Sequence, residues 1–165
     1  MLIREIRVED AGKFAELMKT IEAEADYMLM EPGERKLTTE QQRKQLEQIE
    51  KQSNSTIFVV EKEEELVGFL LVRGGIARRT KHSGYIVVGL LKEYCGRGLG
   101  TKLFERLEEW ARVHDILRLE LSVVTQNEVG LSLYKKMGFE IEGTKHNSLI
   151  IDNKFFHEHF MAKLL

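Results

Sequence analysis

Apolar residues in this chain recur with two different periods, and the switches between them outline its elements. The densest apolar run is Tyr85-Ile86-Val87-Val88-Gly89-Leu90-Leu91, whose length and β-branched content predict a buried strand. It leads into Lys92-Glu93-Tyr94-Cys95-Gly96-Arg97-Gly98-Leu99-Gly100-Thr101, and the period then changes. Leu103, Leu107, Trp110 and Ala111 fall at i, i+4, i+7 and i+8, with Glu105, Arg106, Glu108, Glu109 and Arg112 between them. That spacing predicts an amphipathic helix with one buried stripe. Strict alternation returns at Leu117, Leu119, Leu121 and Val123, against Arg118, Glu120 and Ser122, and predicts a half-buried strand. Asn127 suits the N-cap of a helix over 128–137, and Gly138 its C′ position. Two further strands, Phe139–Ile151 and Lys154–Leu165, flank a hairpin turn at Asp152-Asn153.

Upstream the pattern is weaker. Residues 2–8 alternate, with Leu2, Ile6 and Val8 on one side of a first strand and Ile3, Glu5 and Arg7 on the other. Glu9-Asp10 then reads as the cap of a helix whose apolar face is Phe14, Leu17, Met18 and Ile21. After Pro32-Gly33, which marks a turn, Thr38 to Gln42 has the form of a capping box opening a helix with Leu46 and Ile49 inward. Ile57–Val60 and Leu66–Val72 predict two strands joined by the charged tip Glu61–Glu65. The cations Arg73, Arg78, Arg79 and Lys81 follow no resolvable spacing and read as surface. The resulting order is β-α-α-β-β-β-α-β-α-β-β. Strands in runs predict a mixed, largely antiparallel sheet flanked by helices, of the α+β kind.

Bulk properties narrow the function without naming it. A chain of 165 residues is expected to form a single domain, 1–165. Its 25 basic and 27 acidic residues leave a formal charge of −2, which carries no signature of nucleic-acid binding. One cysteine excludes an internal disulfide and suits a reducing compartment. The chain opens on no leader-like pattern and holds no apolar run near the roughly 18 residues of a membrane span, so a cytoplasmic protein without membrane contact is expected.

Three glycines between a strand and a helix let the backbone turn tightly and aim several N–H groups at one spot. The helix dipole adds partial positive charge there, so the segment is suited to hold phosphate. The spacing fits neither a dinucleotide fingerprint nor a nucleotide P-loop. Cys95-Gly96-Arg97-Gly98-Leu99-Gly100 instead resembles the R/Q-x-x-G-x-G/A loop of the GNAT superfamily of acyl-CoA-dependent N-acyltransferases. Further on, Asn127 to Phe139 resembles that family's N-x-x-A-x-x-L-Y-x-x-x-G-F signature, with Gly130 in the alanine position. The two segments are separated by one helix and one strand, as in the family. The resemblance runs from about residue 56 to the C-terminus.

The resemblance implies an N-acetyltransferase that uses acetyl-CoA as co-substrate, without a metal, by direct attack in a ternary complex. It places the pyrophosphate on the backbone of Cys95, Gly96, Arg97, Gly98, Gly100 and Thr101, and the pantetheine arm on Val88 and Leu90 in the manner of an added strand. The arm would lie in a cleft where the strand before the loop splays from the strand after the helix. Asn127 would reach the arm, and Tyr134, two helical turns on, would sit beside the sulfur. A phenol stays protonated at neutral pH and can donate to a departing thiolate. The plainer readings are a helix cap for Asn127 and a core aromatic for Tyr134.

The attacking amine must lose a proton, and where many members of the family carry glutamate this chain has Tyr85. His82, Glu24 and Glu31 remain as candidates. Cys95 stands where the family has Arg or Gln; a thiol at a helix start can be acidified, but no histidine is placed to activate it. His157-x-His159 lacks a third ligand for a metal. The acceptor is expected to be a small-molecule amine, with a peptide amine, either a protein N-terminus or a lysine, as the alternative. A homodimer is a possible assembly, and a CoA-binding regulatory domain without turnover is the rival class. Glu22, Glu24, Asp26, Glu31 and Glu34, interleaved with Tyr27 to Met30, suggest an acidic wall suited to an acceptor with a second positive charge.

Overall fold

The computed structural model describes residues 1–165. Its strands are β1 (Leu2–Glu5), β2 (Thr56–Lys62), β3 (Glu65–Gly74), β4 (Ser83–Leu90), β5 (Arg118–Val124), β6 (Glu140–Ile151) and β7 (Lys154–Leu164). Its helices are α1 (Ala11–Glu24), α2 (Thr39–Glu50), α3 (Leu99–Val113) and α4 (Glu128–Lys136). The order of elements is the one the sequence predicts. The strands form one sheet, β1-β2-β3-β4-β5-β7-β6, in which every neighbouring pair is antiparallel except β4 and β5. This is a mixed, largely antiparallel α+β architecture with helices on both faces.

The strict period of a strand sorts successive residues of β2 to opposite faces. Phe58 and Val60, with Leu70, Val72, Ile86, Leu119, Leu121 and Met161, pack against Leu103, Phe104, Leu107, Trp110 and Ala111 of α3. Ile57 and Val59, with Phe69, pack against Phe14, Leu17, Met18 and Ile21 of α1 and Leu46 of α2. Both faces of the sheet centre are therefore dry, which explains why β2 to β4 read as continuous apolar runs rather than alternating ones.

Local chemistry sets the element ends. Thr38 and Gln41 form the predicted capping box at α2, and Asn127 accepts the Gly130 N–H at the start of α4. The β2–β3 and β6–β7 hairpins turn on Glu63-Glu64 and Asp152-Asn153, all four at positive φ, as tight two-residue turns between twisted strands require.

The first segment departs from expectation. Strand β1 ends at Glu5, and Val8–Asp10 forms a single 3-10 turn. Ile6 and Val8 pack with the α1 core, whereas Leu2 is 55% exposed. Asp10 does not cap α1 with its side chain; its carboxylate takes the Arg4 guanidinium and the Arg7 N–H. Burial alone would raise the Asp10 pKa, but those donors hold it below the usual carboxylate range. Arg4, six residues back on β1, and the Arg7 N–H thus take the carboxylate in place of the α1 amides.

Phe104 is fully buried and meets Tyr134 and Phe139 edge to face, at centroid separations of 5.7 and 5.6 Å. Phe104→Ala is expected to cost about 3–5 kcal/mol in urea denaturation. Val113→Ala, at a position 77% exposed on the same helix, is expected to stay within about 0.5 kcal/mol.

Candidate active site

The site begins with an interruption in the sheet. β4 and β5 pair in parallel only over Ser83/Arg118, Gly84/Leu119 and Tyr85/Glu120. Beyond that point β4 follows β3 and β5 follows β7, and a gap opens between them. The register of β4 decides which of its amides face the gap. Gly75 donates to Ser83 and Leu91 donates to Val67, so odd-numbered residues of β4 bond β3. Antiparallel pairs alternate in this respect, and the backbone groups of Ile86, Val88 and Leu90 therefore point into the gap. The two positions expected to receive a pantetheine arm are on this open edge.

At the mouth of the gap the chain makes a short 3-10 turn, Lys92–Tyr94, and then the glycine loop. Gly96 and Gly98 have φ of +73° and +79°, a region that side-chain-bearing residues enter at a cost. The first helical bond of α3 is Lys102 N–H to the Gly98 carbonyl. The six N–H groups from Gly96 to Thr101 have no acceptor within the protein. Cys95, expected to share in this role, instead donates its N–H to the Lys92 carbonyl. Gly100 serves packing: a Cβ there would stand 2.8 Å from Leu133 Cδ2, so its absence leaves room for that side chain of α4. The free amides, the positive end of α3 and the open β4 edge converge at one end of the gap and fit a phosphate-bearing ligand with an extended arm.

The Tyr134 ring, on α4, is held edge to face by Phe104 and Phe139, and Tyr85 of β4 lies near enough to act on its hydroxyl. The Tyr134 hydroxyl pKa is pushed up to about 12, first by burial and second by Tyr85. Asn127 is less free than its expected role requires. Its Oδ1 caps α4 through Gly130, and a Cβ at position 130 would lie 2.7 Å from its Nδ2. The glycine at this alanine position lets the carboxamide fold over the helix start.

Other sequence expectations change in the structure. The Cys95 thiol is pushed up rather than acidified, first by burial and then by the charge of Glu24. Glu24 accepts the Lys92 N–H at 2.7 Å and so pins the end of β4 to α1. Glu22 is 2% exposed and paired with Arg35, and is no part of a solvent-facing acidic wall. The Glu31 N–H is held by Glu34, and His82 precedes β4, its carbonyl taking the Leu117 and Arg118 N–H groups. No group of three or more His, Cys, Asp or Glu side chains is placed to hold a metal, and no helix is long and apolar enough to cross a membrane. Two surface hollows of about 410 and 370 Å³, one among Arg4, Asp10 and Glu61 and one beside Trp110 and His114, include none of the residues at the gap.

A mixed sheet split at its one parallel pair, with free amides at the mouth of the split, is the architecture that the sequence resemblance implied. The model of the acetyltransferase (GNAT) family matches residues 17–139, and the chain belongs to that family. It is similar over 99% of both chains, at 29% identity and a TM-score of 0.96, to the acetyltransferase of GNAT family from Streptococcus pneumoniae. At 18% identity and a TM-score of 0.85, over 99% of this chain and 93% of the other, it shares its fold with the acetyltransferase YncA from Salmonella typhimurium, whose structure contains its cofactor acetyl-CoA. Its similarity to the L-amino acid N-acetyltransferase AaaT of Escherichia coli is 28% over 104 residues, 61% of this chain and 62% of that protein. With the N-alpha-acetyltransferase 30 of Schizosaccharomyces pombe it is 28% over 83 residues, 50% and 55% of the two chains. These matches thus span less than two-thirds of either relative.

The environment of Tyr134 makes a titration prediction. The folded state holds a proton that an unfolded tyrosine releases near ~10. The stabilisation is therefore complete below about pH 10 and is lost as pH rises toward 12. An alkaline absorbance titration is expected to show one tyrosine ionising last, near pH 12, and Tyr134→Phe to remove that step.

Proposed function

We propose that this protein transfers the acetyl group of acetyl-CoA to a primary amine by direct attack in a ternary complex. The reading is carried by one observation: the outward backbone groups of Val88 and Leu90 and the free amides of Gly96 to Thr101 lie along one side of the same gap. An extended pantetheine arm would pair with the β4 edge, and its pyrophosphate would take the amides. Asn127 would contact the arm through Nδ2 while keeping its cap. Attack on the thioester carbonyl forms the C–N bond, and collapse breaks the C–S bond. Tyr134 is then the donor to the sulfur. Its raised pKa keeps it protonated throughout the neutral range, although it is a weaker acid than a free phenol.

The acceptor side favours a compact amine. Tyr27, from the α1–α2 connection, meets Phe156 of β7 edge to face at 6.0 Å. The contact bridges the two walls on the α1 and α2 face of the sheet, where a long chain would otherwise lie. A single domain with Cys95 as a bystander completes this reading.

The test is acetyl-CoA-dependent thiol release with L-amino acids, spermidine and tripeptides bearing a free N-terminus. Turnover of a free amino acid or polyamine above the peptides supports a small acceptor, and preference for the peptides transfers the reading to protein N-termini. Tight acetyl-CoA binding without turnover of any amine identifies a regulatory domain. Gly98→Glu is expected to abolish acetyl-CoA binding in calorimetry, because bulk and negative charge both oppose the pyrophosphate. Tyr134→Phe is expected to lower kcat by about 10²-fold or more while leaving that binding intact.

A further inference from the structure

An alkylammonium acceptor arrives with one proton too many, because its pKa is near ~10. Of the candidates read from the sequence, Glu24 at the mouth of the gap is already bound to the Lys92 N–H, His82 lies at the paired end of β4, and β4 carries tyrosine at position 85. The pairing of the strands brings another carboxylate there. Glu120 of β5 is the register partner of Tyr85 in the last β4–β5 pair, so it sits where the gap begins. Leu119, Leu121 and Val123 point to the α3 core. The alternation of β5 therefore turns Glu120 to the opposite face, the face on which Tyr27 and Phe156 meet.

The bonding of Glu120 leaves it available. Arg118 Nε donates to Glu120 Oε2 at 3.0 Å, and Glu120 Oε1 accepts nothing. Both Nη groups of Arg118 go to Glu142 on β6, so the guanidinium is shared between two carboxylates. The Glu120 side chain keeps a quarter of its surface. Two residues along the same face, Ser122 Oγ is shielded from solvent and has no hydrogen-bond partner. A shielded hydroxyl without a partner is a costly feature unless a ligand group pairs with it.

We propose that Glu120 is the proton acceptor for the amine, with Ser122 Oγ as a second contact to the nitrogen. The proposal rests on the acetyl-transfer reading above. The ammonium gives one proton to Glu120 Oε1, which passes it to solvent. The neutral nitrogen attacks the thioester carbon through its lone pair. On collapse the C–S electron pair stays on sulfur, which takes a proton from Tyr134; the nitrogen gives up its second proton as the amide forms, and that proton, carried through solvent, restores the Tyr134 phenol. The net products are the amide, the free thiol and one proton in solution.

Other ionisable groups surround this carboxylate: Arg118 beside it, Tyr85 across the pair and Tyr134 behind Tyr85. Glu142 lies behind Arg118, and Glu140 of β6 lies beyond Ala162 in the same row.

The experiment compares wild type, Glu120→Gln and Glu120→Asp on the amine that the wild type acetylates fastest, from pH 7 to 9.5. Glutamine keeps the size of the side chain and an acceptor for Arg118. It is expected to lower kcat/KM by about 10²-fold or more at pH 7, with unchanged acetyl-CoA affinity by calorimetry. Its deficit is expected to shrink about tenfold per pH unit as solvent deprotonates the amine in place of the missing base. Aspartate, which keeps a carboxylate, is expected to lose less than glutamine and to keep the wild-type pH profile, and that profile decides the matter if the glutamine variant fails to fold. A glutamine variant within about threefold of wild type overturns the proposal. So does a deficit that is constant with pH, which would mark a structural role, or an aspartate variant as impaired as the glutamine variant. Absence of wild-type turnover on every amine would instead overturn acetyl transfer itself, and this proposal with it.

Discussion

The structure depends on a pairing that stops early. β4 is bound to β3 through seven register pairs and β5 to β7 through seven, but β4 and β5 share only three. Each half of the sheet follows its own antiparallel partner, and the right-handed twist of the strands carries the halves apart. The amides that would have closed the ladder are left open. A buried polar edge of this kind is costly unless something pairs with it, so the gap is suited to receive a strand-like ligand. Packing holds it open from both sides, with the α3 core beneath the sheet and the α1 core above it.

Everything placed at the gap is placed by that division. The glycine loop starts where β4 ends, so the free amides at the start of α3 point at its mouth. Glu24 binds the Lys92 N–H and fixes the end of β4 to α1. The absence of a side chain at Gly100 admits the Leu133 side chain of α4, and its neighbour Tyr134 packs on Phe104 of α3. On the opposite face the first residues not separated by the split, Tyr85 and Glu120, lie side by side. In the proposed reaction this one interruption separates a thiol side from an amine side.

Much of this was legible in the sequence wherever the signal was local. The apolar run at 85–91, the stripe of α3, the alternation of β5 and the caps at Thr38 and Asn127 each depend on neighbours within a few residues. The glycine loop was legible for the same reason. What escaped depends on partners that only the folded chain brings together. Asp10 looked like a helix cap, but the turn after β1 lays Arg4, six residues earlier, on its carboxylate. Glu22 looked like part of an acidic wall, yet Arg35, thirteen residues on, pairs with it in the interior. Cys95 looked like a thiol at a helix start, but burial and Glu24 push its pKa the other way. Glu120 looked like the polar half of an alternating strand, and only the register with β4, thirty-five residues earlier, places it beside Tyr85.

The central claim is that the open edge of β4 and the amides of the glycine loop form one continuous binding surface. Amide chemical shifts of ¹⁵N-labelled protein titrated with coenzyme A test it residue by residue. The largest changes are expected at Val88, Leu90 and Gly96 to Thr101, moving together along one binding curve. Shifts confined to another surface, such as the hollow beside Trp110 and His114, with these amides unmoved, would contradict the account.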